Sequence, residues 1–145
     1  VTGVPLAVTI VWAKRTGARD LDVPRREDRL VPMLFSLAGY ALAMFVVWAL
    51  SAPFALFALM AAYTICAIVT TLITLRWKIS LHASGFMGPV FALGWTFSPW
   101  LYILYVFLPL IAWSRLVLGK HTPAQLVAGA ALGLLIVGLC FWLLD

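Results

Sequence analysis

The sequence predicts an all-α, polytopic membrane helix bundle of about six transmembrane helices, forming a single domain over residues 1–145. Three observations predict it. Hydrophobic residues make up 65% of the chain, against 10 Lys/Arg and 5 Asp/Glu in 145 residues, and the mean hydropathy is +1.09. A soluble domain with a polar surface does not have that composition. The apolar residues come in runs long enough to cross a bilayer, and the basic residues fall only in alternate connections between those runs.

Taken in order, residues 1–12 form a short apolar run ending at Trp12. The chain opens on Val and this run is short of a full crossing, so it is expected to be the tail of a span whose start lies further upstream. Residues 30–50 and 53–75 each exceed the roughly 20 residues that span a hydrocarbon core. A longer apolar stretch over 79–113 is broken at Ser98-Pro99, where the proline divides it into a hairpin of two shorter spans. Its second half, between Trp100 and Trp113, is short for a full crossing, so the loop that follows is expected to lie below the membrane surface. Residues 125–144 form the last span. Gly129 and Gly133 stand there at the Gly-x3-Gly spacing that lets helices approach closely, and within one fold they are expected to serve a contact inside the chain. Thr64, Thr70, Thr71 and Thr74 are read as packing residues bonded to their own backbone. Tyr102 and Tyr105 are read as packing or interfacial residues. Cys66 and Cys140 fall inside apolar runs, where neither a disulfide framework nor a thiolate metal site is expected.

Six crossings place every Lys and Arg on one side: Lys14, Arg15, Arg19, Arg25, Arg26, Arg29, Arg76, Lys78, Arg115 and Lys120. The tryptophans follow the same layout. Trp12, Trp77 and Trp113 fall near the basic side, and Trp48, Trp95, Trp100 and Trp142 near the other, as interfacial aromatic belts require. The positive-inside rule leads us to expect the basic side in the cytoplasm, and the plasma membrane is the expected location. A phosphate site would make that side basic whichever way it faced.

The polar gap before the last span concentrates the chemistry. It reads Ser114-Arg115, five residues, His121, three residues, Gln125, with Lys120 beside the histidine. An anion suits such a cluster of donors. A second polar stretch, Lys78-Ile79-Ser80-Leu81-His82, opens the hairpin on the same side, and ionisable groups at membrane depth are functional by default. Ser80 and the backbone N–H groups at the following helix start would add neutral donors. The loop before the second span carries Arg25, Arg26 and Arg29. Any of them is either a solvated juxtamembrane residue or a guanidinium reaching over the site.

The spacing over 114–125 resembles the third signature of the phosphatidic acid phosphatase type 2 family, Ser-Arg-x5-His-x3-Asp, with Gln125 in place of the Asp. Ile79-Ser80-Leu81-His82 is similar to the second signature, Pro-Ser-Gly-His, keeping its Ser and His. The first, Lys-x6-Arg-Pro, is not intact. The resemblance implies a membrane-embedded phosphatase of lipid phosphates or isoprenoid diphosphates that needs no metal and no cofactor. It implies His121 as the nucleophile forming a phosphohistidine, His82 as the general acid, and Arg115 and Lys78 with an arginine of the first loop as the phosphate cradle. Ser80 and Ser114 complete that set. Gln125 can accept a hydrogen bond from the imidazole but brings no negative charge.

The partners expected are a lipid phosphate or diphosphate and the bilayer itself, with no nucleic acid. Two rival classes compete with this reading. A membrane prenyltransferase would bind magnesium diphosphate between two Asp-rich loops. Asp20, Asp22 and Asp28 suggest one loop, but no acidic residue lies between Asp28 and Asp145 to make the second. The other rival is a lipid-phosphate-binding or scaffold protein that keeps the basic site and lost turnover with the aspartate.

Overall fold

The computed structural model describes residues 10, 11 and 30–144. Ile10 and Val11 are helical; the rest of the first apolar run, and the loop carrying Arg25, Arg26 and Arg29, lie outside the described residues. From residue 30 onward the order is α1 (Leu30–Ala49), α2 (Phe54–Thr74), α3 (Leu81–Thr96), a 3-10 segment (Pro99–Phe107), α4 (Leu108–Val117) and α5 (Pro123–Leu144). Four stretches are long and apolar enough to cross a membrane: α1, α2, α5, and the 3-10 segment taken together with α4. At 16 residues, α3 rises about 24 Å, short of a full crossing.

The chain breaks where prolines and left-handed residues require it. At the end of α1, Ser51 adopts φ 49°, and the N–H groups of Ser51 and Ala52 return to the Trp48 and Val47 carbonyls, each at 3.0 Å. This pairing is a Schellman stop, with a serine in the position that glycine usually holds. Pro53 then caps α2. The break expected at Ser98-Pro99 separates α3 from the 3-10 segment, with Pro99 in its first turn.

Across that break the structure departs from the sequence reading. A continuous α-helix over 19 residues would rise about 28 Å. The nine residues Pro99–Phe107 instead rise about 18 Å as a 3-10 helix, and α4 adds about 15 Å. Together they match the roughly 30 Å of a hydrocarbon core. The tighter winding lengthens the segment by about 5 Å, and the apolar stretch runs on past Trp113 to Val117.

Consecutive helices run antiparallel, and α3 and α5 form the most extensive pairing. Small residues make it possible. A Cβ on Gly129 would overlap the Ser80 carbonyl oxygen, and one on Gly133 would overlap that of Ser84. The glycine pair thus serves a contact within the chain, where backbone approaches backbone. Ala58, Ala62, Ala92, Val137, Cys140 and Phe141 make the core. At the end remote from Ser80, Phe141 meets Phe54, Phe91 and Trp95 edge-on at 6.0, 5.9 and 6.4 Å. This cluster gathers the start of α2 and the ends of α3 and α5. α1 leans on α2 through the stacked rings of Tyr40 and Tyr63, 5.3 Å apart. Thr64, Thr70 and Thr71 donate to the carbonyls four residues back at 2.8, 2.7 and 2.6 Å, so α2 satisfies these hydroxyls itself. Cys66 and Cys140 are free thiols.

Most large apolar side chains outside this core face outward, with Trp100 85% exposed. That surface suits lipid.

Candidate functional site

The site is built from two helix starts and one helix stop at the same end of the bundle. Ser80 caps α3, its hydroxyl accepting from the Ala83 N–H at 3.4 Å. It is fully buried, and its own N–H donates to the Gln125 carbonyl across the α3–α5 contact at 3.3 Å. This bond, with the Gly129 approach below it, fixes the first turn of α3 against the first turn of α5.

The second start and the stop are consecutive, and together they account for the spacing over 114–125. α4 ends in a Schellman motif: the Gly119 N–H donates to the Leu116 carbonyl at 2.9 Å and the Lys120 N–H to the Arg115 carbonyl at 3.0 Å. Gly119 takes φ 62°, the left-handed conformation that costs glycine nothing. Two residues later α5 opens with a capping box. The Gln125 N–H donates to Thr122 Oγ1 at 3.3 Å, and the Thr122 N–H donates to Gln125 Oε1 at 3.1 Å. Pro123 occupies the first helical position, where no N–H is needed. His121 is the single residue joining stop to start. Five residues between Arg115 and His121, and three between His121 and Gln125, are what a glycine stop followed at once by a capped start requires.

The capping box also settles the imidazole. The Gln125 side-chain atom facing Thr122 must be oxygen, because a backbone N–H can only donate. That same oxygen lies 3.2 Å from His121 Nδ1. Nδ1 therefore carries the proton, and a neutral ring holds its lone pair on Nε2. His121 is buried, at 7% exposure.

Around it, every formally charged side chain among the described residues is a cation. Arg76 and Lys78 lie in the α2–α3 connection, Arg115 in the last turn of α4, and Lys120 beside His121. Alternation of the helices puts all four at the end of the bundle that carries Ser80 and His121. Lys78, Arg115 and Lys120 are partly buried, and Arg76 and His82 are exposed. His82 stands in the first turn of α3 and Gly85 one turn further on, where an added Cβ would meet nothing within 4 Å. The Ser114 hydroxyl donates to the Ile111 carbonyl of its own helix at 2.8 Å, so its proton is used within α4. Of the sequence-derived residues, His121, Gln125, Ser80, His82, Lys78, Arg115 and Ser114 thus share one end of the bundle. Among the described residues no group of three or more His, Cys, Asp or Glu comes together.

Thr122 was missed by the sequence reading, although the Thr-x-x-Gln signature of a capping box stood in plain view. It aims the Gln125 amide, and through it the imidazole.

No family model, curated protein or solved structure matches the chain. The likeness to the phosphatase signatures rests on the residues alone.

Proposed function

We propose that this chain is a membrane-embedded phosphatase of lipid phosphates or isoprenoid diphosphates, acting without a metal through a phosphohistidine on His121. The observation that carries the reading is the held imidazole: a buried ring whose Nδ1 faces the Gln125 side-chain oxygen at 3.2 Å, in a bundle end whose described charges are all positive. That is the arrangement an attacking nitrogen needs beside a phosphoryl group.

The reaction runs in two displacements. The Nε2 lone pair attacks the terminal phosphorus, its bond to the leaving oxygen breaks (the lipid oxygen of a monophosphate, the bridging oxygen of a diphosphate), and that oxygen takes a proton from His82 as it leaves. Water then attacks the phosphohistidine, giving its proton to His82, and the P–N bond breaks to release inorganic phosphate and restore neutral His121. Arg115 and Lys78 balance charge on the non-bridging oxygens throughout. Arg25, Arg26 and Arg29 are the candidates to complete the cradle. In this reading the basic end faces the cytoplasm.

Phosphate release from a panel of lipid phosphates and diphosphates, by detergent-purified protein in EDTA, tests it. Release is expected from the parent and not from His121→Ala. Equal release by both would remove His121 from the chemistry.

A second reading is favoured by the capping box itself. Thr122 and Gln125 have a complete structural role in starting α5, so a basic site that binds lipid phosphate without turning it over would show the same local geometry. Folded protein that binds a lipid phosphate but releases no phosphate is the outcome that selects this reading.

A further inference from the structure

The 3-10 segment is the least ordinary element of the fold. Runs of this winding rarely exceed three or four residues, yet Pro99–Phe107 has nine and none of them is buried. Its ends show why it is not α-helical. The Leu101 N–H bonds the Ser98 carbonyl three residues back, at 3.0 Å, and the Leu108 N–H likewise bonds Tyr105. Pro109 has no N–H to offer the Tyr105 carbonyl four residues back, and its ring would press on that oxygen in a continuous α-helix.

The winding also decides which side chains face α3. At three residues per turn, residues three apart eclipse. Trp100, Ile103 and Val106 accordingly all point outward, at 85%, 71% and 66% exposure, and Tyr102 and Tyr105 stack with their planes 2° apart and centroids 6.1 Å apart. Both tyrosines hold α3. The Tyr102 ring fills the space over Gly94, where a Cβ would overlap it, and the Tyr105 hydroxyl donates to the Met87 carbonyl at 3.2 Å.

We propose that Tyr102 and Tyr105 are positioning residues that hold Pro99–Phe107 in the 3-10 form and thereby set where Arg115 stands. Each residue that passes from 3-10 to α turns the helix below it by about 20° and draws it back by about 0.5 Å. α4 follows without an intervening loop. Arg115 sits in its last turn, and the Arg115 carbonyl holds the N–H of Lys120, the neighbour of His121. A change of winding is therefore delivered to the site as rotation and retraction of the guanidinium. Its consequence for phosphate binding rests on the phosphatase reading; the geometry of the segment does not.

The test is a single-cysteine spin-label scan over residues 100–117, omitting Tyr102, Tyr105 and Pro109, in a Cys66→Ala/Cys140→Ser background reconstituted into phospholipid vesicles. Oxygen accessibility is the readout. The parent is expected to show maxima at 100, 103 and 106, then at 110, 113 and 117. In Tyr102→Leu/Tyr105→Leu the maxima over 110–117 should shift, with a label at position 115 gaining accessibility. Tyr105→Phe keeps the ring and loses the bond to Met87, and should give a smaller shift of the same sign should the double variant fail to fold. A parent pattern with α-helical spacing over 100–107, or an unchanged pattern over 110–117 in folded variants, overturns the proposal. In phosphate release from the intact Arg115 protein, Tyr105→Phe should raise KM roughly tenfold, the size of one weakened charge-assisted contact, with kcat little changed. Absence of release from the parent would sink the phosphatase reading and leave the accessibility pattern to decide the positioning role.

Discussion

Replacing Gly133 with alanine puts the α3–α5 contact to a quantitative test. The new Cβ would stand 2.8 Å from Ser84 Cα and 3.0 Å from its carbonyl carbon, where ordinary contact begins at 3.4 Å. These are backbone atoms, so no rotamer change relieves the overlap and the helices must part by at least about 0.6 Å along a face packed at interior density. Forced separation of this kind costs about 1–3 kcal/mol, with backbone obstruction at the upper end. Alanine returns about 1 kcal/mol of helix propensity, leaving a net loss near 2 kcal/mol. Gly138→Ala is the internal control. Its Cβ would meet only Phe91 ring carbons at 3.8 Å, so the propensity gain of up to about 1 kcal/mol is kept. The two variants should differ by about 3 kcal/mol, more than a hundredfold in the folding equilibrium. Reversible unfolding in mixed micelles, followed by helical circular dichroism, measures it. A difference under about 1 kcal/mol, or Gly133→Ala the more stable, would mean that α3 and α5 are not in backbone contact at Ser84.

The remaining predictions concern the helix ends. Ser51→Gly should stabilise the protein by about 1 kcal/mol, because serine holds a left-handed conformation there at a cost that glycine avoids. Gly119→Ala should destabilise it by a similar amount in the same unfolding assay, the loss being purely conformational, since a Cβ there has open space. Gln125→Ala removes both the reciprocal cap and the acceptor at Nδ1. It should cost about 1 kcal/mol, and nitrogen NMR of the His121 ring should show a mixture of tautomers in place of Nδ1–H alone. Gln125→Glu keeps the acceptor and should preserve the Nδ1–H form; a tautomer indifferent to both changes would sever the imidazole from the cap.

What the residues alone determine here is the broad architecture and the location of the chemistry. A lipid-facing helix needs a long apolar run, and a proline must break one, so the runs over 30–50, 53–75 and 125–144 and the break at Ser98-Pro99 follow from local composition. Grouping of Lys78, Ser80 and His82 with Arg115, His121 and Gln125 follows equally, since alternate loops of antiparallel helices meet at one end. Only the tertiary structure decided three other matters. The 3-10 winding of Pro99–Phe107 depends on Tyr102 and Tyr105 finding Gly94 and the Met87 carbonyl on α3, contacts that an apolar run of ordinary propensity does not announce. The tautomer of His121 depends on which way an amide points, and that is set by Thr122 across a capped turn. Lastly, Gly129 and Gly133 could have served any close contact of small residues. Ser80 and Ser84 make it a contact within the chain because their carbonyls come too near α5 to leave room for a side chain.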